Sequence, residues 1–285
     1  MAHLPVSPIS PGSEPTQHYD TVVGAWGELL QEDLHYGYFH NDNESLVEAT
    51  DELTNQMLHL AELREGLQLL DVGCGTGKAA CRMAKEYSAR VIGISPSEAC
   101  IERSRSLADA SGQQDLASFR NGDGTAMDFG DETFDRVWVM ESSHLMQDKR
   151  ALIRECARVL RPLGRVVLCD VIMKRKLKLA EVIQYRDEFL LLRDVFGRSI
   201  NEPLQFYRQQ FELNGLHVAA ESDISKPTFP TFSRWRQNAM GKRESVCEMI
   251  GGRAWEQFLL SCDVLEKFWQ EDILGYGIIS AYKRV

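Results

Sequence analysis

Residues 67–78 read Leu67-Gln68-Leu69-Leu70-Asp71-Val72-Gly73-Cys74-Gly75-Thr76-Gly77-Lys78. The run from Leu67 to Val72 has the length and apolar character of a buried strand, and it ends at a turn containing Gly73, Gly75 and Gly77. Residues 78–87 then carry the spacing of a helix. Glycines at a strand-to-helix turn let a ligand lie against bare backbone, while the helix N-terminus offers N–H donors to an anion. A dinucleotide fingerprint would need G-x-G-x-x-G. Counted from Gly73, its third glycine falls on Lys78, and Gly77 comes one residue early. A pyrophosphate ligand, and with it nicotinamide chemistry, is therefore disfavoured. A GxGxG loop preceded by an acid suits a different ligand, one with an amine for Asp71 and a carboxylate for the helix end; a glycine turn with no ligand is the plain alternative.

Outward from this loop, strands and helices alternate. Strands are expected at residues 90–94, 116–120, 134–140 and 165–172, with helices at 97–110 and 148–160, the latter stopped by Pro162 and Gly164. Upstream, residues 45–63 repeat apolar side chains at helical spacing. Such alternation implies an α/β fold with a parallel sheet covered on both faces. Beyond residue 172 the rhythm changes to helical stretches at 177–196, 203–214, 231–250 and 253–270, with strands at 216–224 and 273–282. Residues 1–16 hold four prolines and are expected to be a disordered tail. An aromatic lid and helix are expected at 17–63, and a core at 64–285 that includes a helical cap insertion at 174–214.

Composition narrows the function. The chain has 285 residues, 44% hydrophobic and 26% charged, enough to bury a core without disulfide or metal staples. Its 42 acidic against 32 basic residues give a net charge of −10, which repels a phosphate backbone, so no nucleic-acid partner is expected. The run Lys174, Arg175, Lys176 and Lys178 reads as a solvated face. Seven scattered cysteines without CxxC or Cys/His spacing imply reduced thiols, no metal and a cytoplasmic location. No secretory signal or membrane span is expected from the sequence.

The sequence resembles the class I S-adenosylmethionine-dependent methyltransferases. Within them it is similar to the small-molecule subgroup of rebeccamycin-type sugar O-methyltransferases, tocopherol and sterol C-methyltransferases, and mycolic acid cyclopropane synthases. The resemblance rests on HYD (18–20), LHYGYF (34–39), LLDVGCGTGK (69–78), VIGISPSE (91–98), NGDGTAMDF (121–129), FDRVWVMESSHLM (134–146) and ARVLRPLGRVVLCD (157–170), in that order. It implies a Rossmann-like, seven-stranded, mostly parallel sheet with an antiparallel last strand. It also implies S-adenosyl-L-methionine as cofactor and S-adenosyl-L-homocysteine as product.

By the same resemblance Asp71 anchors the methionine amine, and Gly73, Gly75 and Gly77 line the cofactor. Ser95 and Glu98 stand where the subgroup often has a serine and a glutamine on the ribose; a helix cap and a first-turn charge are their plain roles. Asp123 and Gly124 fall beside the adenine. His144 aligns with a general base of the sugar O-methyltransferases, although Leu145 stands where a second histidine often follows.

His144 and Asp170 also fall at strand ends, where ligands gather in a parallel sheet. An imidazole suits removal of a hydroxyl proton, with Asp170 orienting it or sharing that role. Glu141 offers a second chemistry. An acid there, with aromatic faces, would steady the cation formed in C-methylation. Tyr19, Trp26, Tyr36, Tyr38, Phe39, Tyr185, Phe189 and Phe206 are the aromatic candidates, and ordinary packing explains them equally well. The apolar insertion reads as a greasy lid or a dimer face, and either favours a small, largely apolar acceptor. O-methylation in specialised metabolism is expected first; C- and N-methylation, and an inactive cofactor-binding paralogue, are the alternatives.

Overall fold

The computed structural model describes residues 35–285. The expected tail at 1–16 and the candidates Tyr19 and Trp26 lie outside the described residues. Helix α1 (Leu46–Ala61) begins with a capping box, in which the Glu48 N–H donates to Ser45 Oγ and the Ser45 N–H donates to Glu48 Oε2. Then β1 (Gln68–Val72), α2 (Lys78–Tyr87), β2 (Arg90–Ser95), α3 (Glu98–Ala110), β3 (Ala117–Asn121), β4 (Phe134–Met140), α4 (Lys149–Val159) and β5 (Leu160–Met173) follow closely the expected alternation. Three helices come next, α5 (Leu179–Gln184), α6 (Arg186–Phe196) and α7 (Leu204–Leu213). The remainder is β6 (Leu216–Asp223), α8 (Ser225–Thr228), α9 (Thr231–Gly241), α10 (Arg243–Ile250), α11 (Gly252–Gln270) and β7 (Leu274–Lys283).

The seven strands lie in the order β3-β2-β1-β4-β5-β7-β6. All pairs are parallel except those of β7, which runs antiparallel to both β5 and β6. The sheet separates two apolar clusters. One gathers Leu53 and Met57 of α1, Met83 of α2, Ile101 of α3, Trp235 of α9 and Phe268 of α11; the other holds Leu152 and Cys156 of α4 with Tyr207 and Phe211 of α7. The seven cysteines are free thiols, six of them buried. Among the described residues no helix is long and apolar enough to cross a membrane.

Three expected boundaries differ. The stretch at 177–196 divides at Tyr185, whose backbone leaves the helical region at ψ 14°. Its ring sits edge-on to Phe268 and its hydroxyl donates to Glu271 at 2.7 Å, so α5 and α6 answer to different packing. The stretch at 231–250 divides at Lys242 just after Gly241, a poor helix former. Strand β5 starts at Leu160 and runs through Pro162 and Gly164, because the irregular pairing with β4 between Phe134 and Arg136 gives the proline a bulged position.

Buried Arg136 ties α1 to the sheet: its Nε donates to the Ala61 carbonyl at 2.5 Å and its Nη2 to the Glu62 carbonyl at 3.0 Å. It therefore satisfies helix-end carbonyls with a cation, where the helix dipole favours one. Arg136→Ala should cost about 2 kcal/mol. Urea denaturation should show a lower midpoint with the slope unchanged.

Candidate active site

The C-terminal ends of the parallel strands meet along one edge, and the strand order reverses between β1 and β4, which opens a crevice there. Asp71, near the end of β1, pairs with Gly93 of β2 and Trp138 of β4. It is 2% exposed, and its Oδ2 has no hydrogen-bond partner. Burial pushes the carboxyl up to about 7. An orphaned buried carboxyl oxygen is costly unless a ligand brings the missing donor. An ammonium group meets that need, as a donor and as a cation that favours the ionised acid.

The glycine loop is fastened to β2, since the N–H groups of Gly73 and Cys74 both donate to the Ile94 carbonyl, at 2.8 and 3.1 Å. Its glycines serve different needs. A Cβ on Gly73 would lie 2.2 Å from Ser142 Cβ, and one on Gly77 2.8 Å from Ser104 Cβ. Gly75, at φ +53°, would point a Cβ into open space, which leaves bare backbone for a ligand. The orphaned acid and this open cradle together fit the amino-acid end of S-adenosylmethionine.

Ser95 ends β2 and accepts the Ser97 N–H at 3.2 Å. Glu98 begins α3 with its side chain 61% exposed and 3.9 Å from Arg105. Asp123 is exposed, and its Oδ1 accepts the N–H and the hydroxyl of Thr125 at 2.7 and 2.8 Å. Gly124 is buried, with its backbone close against Val72 and Met146.

After β4 the chain turns sharply through Glu141, a non-glycine residue at φ +47°. A short 3-10 turn, Ser143–Leu145, carries His144. His144 Nδ1 lies 2.8 Å from Asp170 Oδ1, the acid is fully buried, and the imidazole is 14% exposed. Among the described residues nothing bonds Nε2, and because an ionised carboxylate can only accept, the proton between the pair sits on Nδ1. Burial alone would raise the Asp170 carboxyl, but the charge and hydrogen bonds of His144, with a bond from Ser143, hold it below its ordinary value. Glu141 is the opposite case. Burial pushes it up to about 8 although Tyr276 OH and the Tyr36 N–H both donate to its Oε1, and the charge of Asp170 adds to the rise.

The aromatic candidates do not form one group. Tyr36 stacks on Trp269 at 5.7 Å and also meets Trp235, Phe232 and Tyr276. Phe39 is buried near the Arg234 guanidinium, and Tyr38 meets His40 edge-on. Tyr185 and Phe189 rest on Phe268 of α11. Phe206 packs beside Tyr207 in the cluster on the other side of the sheet. Sequence reasoning passed over Ser142, whose hydroxyl donates to the Val72 carbonyl at 2.6 Å, and Tyr276 on β7. It also gave no chemistry to Ser143, although the string ESSHL displays both serines.

The methyltransferase-domain family matches residues 70–168. A 27-O-demethylrifamycin SV methyltransferase of Amycolatopsis mediterranei is 33% identical, over 93% of this chain and 95% of its own. The chloroplastic tocopherol O-methyltransferase of Arabidopsis thaliana is 30% identical, over 94% of this chain and 81% of its own. A cyclopropane synthase from Mycobacterium tuberculosis shares the fold with a TM-score of 0.83 at 16% identity, covering 96% of this chain and 99% of that one. The cyclase SpnF does so at 0.81 and 24%, covering 96% and 98%. That last name is a reminder that a shared fold does not fix the chemistry.

The two outer glycines and Gly75 should separate in experiment. Gly75→Ala should leave a folded chain destabilised by about 1 kcal/mol, with S-adenosylhomocysteine binding weakened at least about tenfold by the intruding methyl. Gly73→Ala, with its clash at Ser142, should lose stability by several times as much. Thermal denaturation and calorimetric titration check both.

Proposed function

The chain belongs to the class I S-adenosylmethionine-dependent methyltransferases, in their small-molecule branch, and from that premise we propose that it methylates a hydroxyl oxygen of a small, largely apolar acceptor in specialised metabolism. The observation that carries this reading is the His144–Asp170 pair, with the acid fully buried and Nε2 unbonded. Asp170 holds the imidazole by Nδ1–H, and Nε2 removes the acceptor's hydroxyl proton as the oxygen attacks. Relatives named as O-methyltransferases support the choice of oxygen. The reduced thiols favour the cytoplasm, and a homodimer through the apolar insertion fits the same reading.

S-adenosylmethionine, when bound, supplies a methyl group on a sulfonium that needs no further activation. The protein's work is then mostly positioning. Asp71 takes the amine and the backbone of Gly73, Gly75 and Gly77 lines the amino-acid end. Ser95 and Glu98 take the ribose hydroxyls. Glu98 must leave Arg105 to do so, a small loss for so exposed a pair. Asp123 has Oδ2 left for the adenine amine beside the Gly124 backbone.

C-methylation would ask Glu141 to steady a cation. A carboxyl pushed up to about 8 is mostly neutral at pH 7, and its Oε1 is already engaged by Tyr276 and Tyr36. A neutral acid is a weak partner for a cation, so oxygen is preferred over carbon as the methylated atom.

The deciding experiment is incubation with carbon-13-methyl S-adenosylmethionine and a host metabolite extract, followed by NMR of the labelled product. A methyl on oxygen is expected, and His144→Gln should slow its formation more than about tenfold. A methyl on carbon, or an unchanged rate on a proven hydroxyl acceptor, would remove His144 from the base role. The amine contact has its own test in pH. Only the carboxylate form of Asp71 attracts an ammonium, so S-adenosylhomocysteine affinity should rise as pH increases through about 7. Asp71→Asn should bind weakly with no such rise; equal affinities for the two proteins would remove Asp71 from the amine.

A further inference from the structure

The buried acid behind His144 is the middle of a longer chain of hydrogen bonds. The carboxyl oxygens of Asp170 receive four donors. On Oδ2 these are the Ser143 hydroxyl at 2.5 Å and the His144 backbone N–H at 2.9 Å. On Oδ1 they are His144 Nδ1 and the Val171 N–H, each at 2.8 Å. That number fills the lone pairs of an ionised carboxylate. Three of the donors are fixed by the backbone or by the ring itself, and the Ser143 hydroxyl alone rotates.

What orients it is Tyr207, whose hydroxyl lies 2.8 Å from Ser143 Oγ. A carboxylate can only accept, so the single Ser143 proton points at Asp170, and the Tyr207 proton then points at Ser143. The direction of the chain is forced: Tyr207 donates to Ser143, Ser143 to Asp170, and Asp170 accepts from Nδ1 of His144. Tyr207 is fully buried, and burial together with the charge of Asp170 pushes its phenol far above the ordinary range, so it acts as a donor throughout. It comes from α7, in the insertion between β5 and β6. A second tie from that insertion runs alongside, where the Ile200 N–H donates to the His144 carbonyl at 2.8 Å.

The other titratable groups around Asp170 are Lys149 on α4, Glu141 after β4, the Tyr36 phenol and the Cys169 thiol. Among the described residues none of these bonds its carboxyl oxygens. Lys149 spends a hydrogen bond on the Met146 carbonyl at 3.0 Å instead. Among the described residues the Ser143 end of this arm is thus the one hydrogen bond to Asp170 supplied by a side chain other than His144.

We propose that Tyr207 and Ser143 are positioning residues of the methyl-transfer site, which fix the Asp170 carboxylate and draw charge from it so that His144 is held as the Nδ1–H tautomer with Nε2 bare. This rests on His144 being the base, and it gives α7 a part in the chemistry of the site. Aligned hydroxyls polarise one another, so loss of the Tyr207 proton weakens the Ser143 bond and returns charge density to Asp170. Loss of the Ser143 hydroxyl returns more. A more basic Asp170 pulls harder on the Nδ1 proton.

The test is NMR of the full chain with nitrogen-15 histidine and bound S-adenosylhomocysteine, with His144 assigned by comparison with His144→Gln. The wild-type ring should be protonated on Nδ1, and that proton should move downfield in Tyr207→Phe and further in Ser143→Ala. Ser143→Thr, which keeps the hydroxyl, should return it towards the wild-type position. Tyr207→Phe removes one oxygen and keeps the ring, so it carries the test if Ser143→Ala does not fold. A Tyr207→Phe protein with unaltered thermal denaturation and an unmoved Nδ1 proton would overturn the proposal, as would a wild-type ring protonated on Nε2. The rate of His144→Gln is read separately. If that rate is unchanged while the proton follows the expected order, the base assignment fails and the positioning chain stands.

Discussion

The Ser142 hydroxyl donates to the Val72 carbonyl, and the Ser142 side chain fills the space that a Cβ on Gly73 would need. The loops after β1 and β4 are thereby set against each other at the centre of the sheet, where the strand order reverses. Both halves of the proposed chemistry hang on that contact. Two residues before Gly73 lies Asp71, with its orphaned oxygen; two residues after Ser142 lies His144, with Nε2 unbonded. The separation between Asp71 and His144 is therefore set by packed backbone. Gly73 is required as much by this close approach as by its φ of +80°.

The two acids at this edge show how local wiring sorts similar groups. Glu141 directly follows β4 and Asp170 lies within the neighbouring β5, the two joined by the Glu141 N–H bond to the Cys169 carbonyl. Asp170 meets four donors, two of them from His144, and is held as an anion. Glu141 meets a phenol and one backbone N–H, which do not offset its burial. Two carboxyls a residue apart in the sheet are thus given opposite protonation states near neutral pH. The pattern fits the proposed chemistry, with one acid holding His144 and the other bracing the segment around Tyr36.

Much of this was legible in the sequence because it is local. The run at 67–78 carries its strand, its turn and its helix in a dozen residues, and the alternation beyond it repeats the same grammar. His144 and Asp170 were legible because strand ends in a parallel sheet share an edge. What escaped is what depends on distant residues. Tyr207 reaches Ser143 across 64 positions, and Tyr276 reaches Glu141 across 135. No periodicity carries such a pairing. The same holds for the break at Tyr185, which follows from the place Phe268 leaves for its ring, and for Phe206, which shares a helix with Tyr207 and faces away from the other aromatic candidates.

Strand β7 lies between β5 and β6 in the sheet yet follows every other described strand in the chain, and this orders the making of the protein. When β5 and β6 have emerged from the ribosome, neither has its inner partner, and each presents an open edge. Such edges invite pairing with other chains until they are filled. Residues 274–283 close both at once, and the same strand delivers the Tyr276 hydroxyl to Glu141. Sheet closure and completion of the Glu141 network are then a single late event in biosynthesis. The Glu141 network stays unfinished in a nascent chain until that strand is in place.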